Sequence, residues 1–338
     1  MLFTFTGSSN DILGIDMDAA GDLNGDGVTD LIVGAPGASG SGKVGRAFIY
    51  SLADGSTIHE FNGENPGDQF GWNATSAGDV DGDGLLDVIV GAPRNDGAGN
   101  NAGRVYVYSS SDWSLLYTID GPAANSLFGQ AASGVGDLDG DGISDVGVGA
   151  PGFAGGGRVS VFSGADGSRL FDIPSDATAS SFGSFWISSP GDLNGDGIPD
   201  IYAADLGNSA NGSNSGRGYV FSGANGSNIL TLTGEAAGDQ FGVGHPAGDI
   251  DGDGVGDLII AAWLSSEGGS NAGKVFVISG ADGSSLRTFS SITPGENFGF
   301  DAFAIDDING DGVTDYAISG GISGSTPGKV YLIPGVGP

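Results

Sequence analysis

The chain has no cysteine among its 338 residues. That removes disulfide frameworks and thiol chemistry. Basic residues are scarce: 10 Lys and Arg stand against 42 Asp and Glu, a formal net charge of −32. So acidic a chain repels nucleic acid and anionic membranes, and neither is expected as a partner. Histidine occurs only at positions 59 and 245, which offers little to acid–base catalysis or to an open zinc site. No stretch is long and apolar enough to cross a bilayer, and no window sustains a helical hydrophobic period. Residues 1–6 are too short, and lack the charged start, for a signal peptide. That fits a domain cut from a longer protein.

What is abundant is glycine, 68 residues, and aspartate in a fixed setting. Six acidic loops of nine residues begin at Asp22, Asp79, Asp137, Asp192, Asp249 and Asp307, spaced 57, 58, 55, 57 and 58 residues apart. Position three is Asn24, Asp81, Asp139, Asn194, Asp251 or Asn309. Position five is Asp26, Asp83, Asp141, Asp196, Asp253 or Asp311, and position nine is Asp30, Asp87, Asp145, Asp200, Asp257 or Asp315. A constant period of this length marks an array of one supersecondary unit. Half of all the acidic side chains lie in these loops.

The flanking sequence repeats in register. Phe70-Gly71, Phe128-Gly129, Phe182-Gly183, Phe241-Gly242 and Phe298-Gly299 precede the loops, with Leu13-Gly14 in the first unit. An apolar run follows each loop and ends in Gly34-Ala35-Pro36, Gly91-Ala92-Pro93 or Gly149-Ala150-Pro151. A third strand such as Arg104–Tyr108 and a fourth such as Leu286–Phe289 come next, bounded by Gly, Asp and Asn turns. Four short strands per unit describe a blade of an antiparallel propeller.

These three linked motifs resemble the FG-GAP repeats of the integrin α head, over essentially the whole chain. Units 4, 5 and 6 depart from the pattern with Ala203-Ala204-Asp205, Ala261-Ala262-Trp263 and Ser319-Gly320-Gly321. Propellers of that family usually have seven blades; six are counted here. The expectation is an all-β, six-bladed β-propeller of four-stranded antiparallel blades, forming a single domain over 1–338. The last unit stops after its third strand, Val330–Ile333. The segment Leu2–Gly7 reads like the fourth strand Leu116–Gly121, so Leu2, Phe3 and Phe5 are expected to complete the last blade and hide its edge.

The loops carry hard oxygen donors at positions one, three, five and nine, with glycine at six allowing a tight turn around a cation. An EF-hand would need Glu at position twelve and flanking helices. Position twelve is instead Val33, Val90, Val148, Ala203, Ile260 or Ile318. Several carboxylates within nine residues repel one another unless a cation joins them, so about six Ca²⁺ are expected, one per blade. Mg²⁺ fits less well, because it keeps its waters and demands octahedral geometry. The resemblance implies a backbone carbonyl ligand from position seven: Val28, Leu85, Ile143, Ile198, Val255 and Val313.

Six cations, Lys43, Arg104, Arg158, Arg217, Lys274 and Lys329, follow a glycine at the start of strand three. A repeated position reads as a repeated structural contact with a carboxylate rather than as a ligand site. Candidate ligand contacts are residues where units differ: Trp72, Arg94, Trp186, His245, Trp263 and Phe300. Their alternative role is filling space between blades. The resemblance and the loops imply an extracellular or cell-surface recognition or adhesion propeller, monomeric, with a protein or glycan ligand. A polysaccharide-active enzyme and a rigid spacer are the other readings, and no catalytic set of residues is visible.

Overall fold

The computed structural model describes residues 3–37, 42–305, 307–321 and 328–335. It contains 23 strands in six antiparallel sheets and, among the described residues, no helix. The fold is a six-bladed, all-β propeller. Blade one is β1 (Met17–Gly21), β2 (Asp30–Ala35), β3 (Arg46–Tyr50) and β4 (Thr57–Asn62), and blade two is β5 (Asn73–Gly78), β6 (Asp87–Ala92), β7 (Arg104–Tyr108) and β8 (Leu115–Asp120). Blade three is β9 (Ala132–Gly136), β10 (Asp145–Gly149), β11 (Arg158–Phe162) and β12 (Arg169–Pro174). Blade four is β13 (Ile187–Gly191), β14 (Asp200–Asp205), β15 (Arg217–Phe221) and β16 (Asn228–Thr233). Blade five is β17 (Phe241–Gly248), β18 (Asp257–Ala262), β19 (Lys274–Ile278) and β20 (Ser285–Ser290), and blade six is β21 (Ala302–Ile305), β22 (Asp315–Gly320) and β23 (Lys329–Ile333). Strands follow chain order within every sheet, so each blade is a meander.

The chain divides into two compact units: residues 1–175 with 183–187, and residues 176–182 with 188–338. Within each, burial falls from the middle strands to the rim. Every residue of β6 and of β18 is buried, whereas β8 alternates exposed and buried positions. Strand two of a blade is covered on both faces, which explains its continuous apolar run. The fourth strand meets water on one face and alternates accordingly.

The glycines of the two flanking motifs have one shared cause. A Cβ on Gly34 would collide with the Gly71 carbonyl of the next blade, one on Gly91 with Gly129, and one on Gly149 with Gly183. Neighbouring blades therefore touch backbone to backbone, and only glycine permits it. The preceding Phe70, Phe128 and Phe241 are buried and join cores shared between adjacent blades.

A second junction lies at the turn between strands three and four. Gly55, Gly167 and Gly283 sit there at φ 71–77°. Their bare faces receive Phe3, Tyr117 and Leu230, respectively. Tyr117 and Leu230 belong to the fourth strand of the preceding blade. In blade two the same turn position is Trp113, held at φ 63°, and its ring stacks on His59 of β4 at 4.7 Å.

This pattern places the N-terminal segment. Phe3 occupies on blade one the place that Tyr117 occupies on blade three, and Phe5 stacks on Tyr50 at 4.1 Å. A Cβ on Gly7 would meet Leu13, as one on Gly121 would meet Phe128. Towards blade one, then, residues 3–7 are packed as a fourth strand is packed. The expected ladder of Phe3 and Phe5 with residues 330–333 is not among the strand pairings: the last sheet has three strands, and Leu2 lies outside the described residues. Val330 and Leu332 of β23 are exposed. Deleting residues 1–7 is expected to destabilise the fold by about 2 kcal/mol, since it strips the cover from Tyr50, and to promote association between chains. Calorimetry and light scattering check this; a truncated protein that melts like the parent and stays monomeric would show that the segment is not part of the packed fold.

Candidate metal centre

All six acidic loops close in one way. The position-one carboxylate accepts the N–H of the position-four glycine with one oxygen and that of the position-six glycine with the other. For Asp79 these bonds are 2.7 Å from Gly82 and 2.9 Å from Gly84; for Asp249 they are 2.7 Å from Gly252 and 3.0 Å from Gly254. Those glycines have positive φ, 79° and 90° at Gly82 and Gly84. A Cβ on Gly84 would meet nothing, so the requirement there is conformational rather than steric. The position-five carboxylate caps the N–H of residue seven, as Asp83 does for Leu85 at 2.9 Å.

The position-nine aspartate is different. Asp30, Asp87, Asp145, Asp200, Asp257 and Asp315 are all buried. Each accepts the N–H of position two, at 2.7–3.0 Å. In five blades the other oxygen accepts an N–H from the turn after strand three: Ser110, Gly164, Gly223, Gly280 or Gly335. In blade one, Asp30 Oδ1 is buried with no partner. Burial pushes the Asp87 and Asp145 carboxyls up to about 6 and raises Asp30, Asp200 and Asp257 as well, against the pull of these backbone donors.

Three loops bring carboxylates together in a way that suits a cation. Oxygens of Asp79, Asp81 and Asp87 lie within 4.8 Å of one another, as do those of Asp137, Asp139 and Asp145 and those of Asp249, Asp251 and Asp257. The position-five carboxylates are not in these groups. In loops four and six position three is Asn and its amide takes up the position-nine charge: Asn194 Nδ2 donates to Asp200 at 3.0 Å and Asn309 Nδ2 to Asp315 at 3.2 Å. The all-oxygen donor sets at loops two, three and five fit Ca²⁺. The buried, unpartnered Asp30 oxygen fits a cation at loop one.

The repeated cations are structural. Arg104 pairs with Asp120 at 2.6 Å, Arg217 with Asp176 at 2.7 Å, Lys274 with Glu235 at 2.7 Å and Lys329 with Glu296 at 2.8 Å. Arg158 meets Asp172 at 3.3 Å. In blade one the residue that begins the third strand is Arg46, not Lys43; both hold the buried Asp11. Counting from the glycine alone misaligned this unit, because Gly42 and Gly45 both precede a cation or its neighbour.

The candidate ligand residues fall into separate groups. Trp72 lies 6.5 Å from Phe185, which stacks on Trp186 at 5.3 Å. Trp263 meets Phe300 edge-on at 5.3 Å. His245 bonds to Asp301 at 2.9 Å and lies over Phe303 at 4.3 Å. Arg94 is exposed, and its backbone N–H donates to the Asp68 carbonyl. Trp72 and Trp186 precede the first strands of blades two and four, whose far ends lead into the acidic loops, so the aromatic residues and the loops sit at opposite strand ends. The sequence reading missed Phe185; its signal was the extra residue between Gly183 and the loop of unit 4.

Substituting Asp87 by Ala is expected to cost about 2–4 kcal/mol even without metal, because it orphans two buried N–H groups. Asp83→Ala, which frees one exposed N–H, should cost under about 1 kcal/mol. Urea melts in chelator compare the two; equal costs would show that the buried carboxylate is not an anchor.

Comparisons with known proteins agree with this architecture. The FG-GAP repeat family profile matches residues 18–50 and 70–108, and the FG-GAP-like repeat profile matches 137–203. Integrin alpha-5 of Xenopus laevis is 33% identical over 207 residues, 56% of this chain and 19% of that protein. Integrin alpha-4 of Xenopus laevis is 36% identical over 143 residues, 39% of this chain and 14% of that protein. Integrin alpha-PS5 of Drosophila melanogaster is 33% identical over 178 residues, 47% of this chain and 17% of that protein. The match thus spans less than a fifth of these relatives. Among solved structures, the Bacillus licheniformis rhamnogalacturonan lyase PL11 superposes with a TM-score of 0.52 at 16% identity, over 95% of this chain and 56% of that one, a likeness of fold alone. Motifs, blades and matched profiles together show FG-GAP repeats on a six-bladed propeller that is similar, over part of its length, to integrin α subunits.

Proposed function

We infer that this propeller is a calcium-loaded recognition module that works outside the cell, in adhesion or ligand capture, with a protein or glycan as its ligand. The carrying observation is the set of carboxylate triads at loops two, three and five, each resting on a buried aspartate. Like charges held that close repel one another, and a cation between them relieves the repulsion. Millimolar calcium outside cells saturates sites with affinities of about 10⁻⁴–10⁻³ M. The likeness to integrin α subunits supports the adhesive role. The aromatic residues, at the strand ends away from the loops, leave the calcium sites a structural task and free the other end for a ligand.

Six sites of two strengths follow from the donor sets. Loops two, three and five bind more tightly; loops one, four and six, with Asn at position three, bind more weakly. Isothermal titration should resolve about six ions in two classes, and saturation should stabilise the fold by about 2.7 kcal/mol per site at a hundredfold excess over Kd, with a marked rise in melting temperature. A melt unchanged by EDTA would refute the structural role of calcium. Asp81→Ala, which removes one carboxylate of the loop-two triad, should remove one strong site and leave the remainder; loss of every site, or of none, would contradict independent blades.

The buried carboxyls set the pH dependence. Asp87 and Asp145 titrate near 6 in the fold and near 3.8 unfolded. With a raised folded value, their contribution to metal-free stability is full below about pH 4 and is lost as pH rises through about 6. Calcium binds the ionised form and reverses that trend. In EDTA the melting temperature should therefore fall between pH 4.5 and 7, and in calcium it should not. Calcium affinity at loops two and three should weaken by up to about tenfold per unit below pH 6.

A further inference from the structure

We propose that Trp72, Phe185 and Trp186 form a stacking platform for a neutral polysaccharide chain. This rests on the recognition reading above and narrows its ligand. Phe185 carries the argument. It stands at the apex of a three-residue turn closed by the Trp186 N–H donating to the Ser184 carbonyl at 2.9 Å. Its φ is 67°, a conformation that a bulky aromatic residue adopts only under strain. The strain brings no burial in return, for the ring is 41% exposed. A strained residue that presents an apolar ring to water points to binding rather than to folding.

The ring is not alone. Trp72, reaching from blade two, and Trp186 flank it, with 6.5 Å and 5.3 Å between neighbouring centroids. Trp186 stacks on Phe185 at 28° and Trp72 is inclined to it at 48°, so the exposed part of the Phe185 ring, backed by Trp186, offers an electron-rich surface to the C–H faces of sugar rings. Polar capacity lies beside them. Ser184 Oγ and Asn73 Oδ1 are buried, 3% and 5% exposed as residues, and have no hydrogen-bond partner. Ser184 adjoins Phe185 in the chain and Asn73 adjoins Trp72.

Charge selects the kind of chain. The carboxylate beside Asn73, Asp16, already accepts Asn73 Nδ2 at 2.9 Å and the Ala74 N–H at 2.8 Å. The unmet hydrogen-bonding capacity thus belongs to neutral atoms, which suit hydroxyls rather than ammonium groups. The net charge of −32 disfavours uronate or sulfated polymers.

The test is affinity electrophoresis of the calcium-loaded chain in native gels cast with mannan, laminarin, xyloglucan or galactan, with alginate and polylysine as charged controls. At least one neutral polymer should retard the protein. Phe185→Gly relieves the backbone strain while deleting the ring, so it should keep or raise the melting temperature and weaken retardation at least tenfold. Trp72→Ala should do the same to binding, while Leu115→Ala, an exposed change on β8, should leave it intact. No retardation by any of the four neutral polymers, retardation that survives Phe185→Gly, or retardation by alginate or polylysine alone overturns the proposal. A calcium titration of the same samples separates the two readings. Calcium heats without retardation reject the saccharide platform and spare the metal-dependent module; absent calcium heats reject the module itself.

Discussion

A buried carboxylate that holds two strands of backbone is the interaction on which each blade depends. The ninth-position aspartate reaches from the start of strand two to the N–H of position two and, in five blades, to the turn beyond strand three. One side chain thereby fixes the acidic loop, the hairpin and the next turn against each other. Its desolvation is costly, which is why its carboxyl titrates high in blades two and three. The acidic loop rests on this base, so the candidate site's inner wall is part of the fold.

At the other end of the blade a second carboxylate performs a similar task. Asp11, Asp68, Asp239 and Glu296 are buried two residues before the aromatic or leucine residue that opens the unit. Two of them, Asp11 and Glu296, are met by the cation that begins strand three. Blade three has Ser126 at that position, which donates to the Ala102 carbonyl instead. Blade four has Ser180 there, and the acid is supplied from elsewhere. Strand register puts Asp205 at the place of Ala35 and Ala92, with Leu206 where those blades have proline. Asp205 accepts from Ser180, Ser181 and Asn208, while Asp176 takes Arg217 and Tyr219. The departure of unit 4 from its motif is thus a relocation of one charge, not a loss of the contact.

The legible part of this molecule was whatever repeats. The acidic loops, the Phe-Gly starts and the apolar second strands could be read because backbone geometry demands the same residues six times over. The structure gave them reasons that the sequence alone did not: Gly34 and Gly71 are glycine because two blades touch there. What escaped was local and singular. Arg46 was hidden behind Lys43 because both follow glycines in a longer loop. Phe185 was hidden because an inserted residue has no counterpart to compare with, and its significance lies in a dihedral angle. The grouping of position-nine with position-one and position-three carboxylates, apart from position five, depends on side-chain rotation that spacing does not encode.

The turn glycines carry a consequence for how such a chain can change. Gly55, Gly167 and Gly283 leave room for a large side chain from the preceding fourth strand, whereas Trp113 fills that room itself and faces an imidazole. Each junction is therefore a matched pair of one bulky and one yielding surface. Blades with almost the same backbone are not interchangeable parts: moving the Trp113 blade behind a fourth strand that carries Tyr117 would set two rings in one space. The order of the repeats is written in the seams between them, so a duplicated blade is accepted only beside a neighbour whose outer strand it already fits.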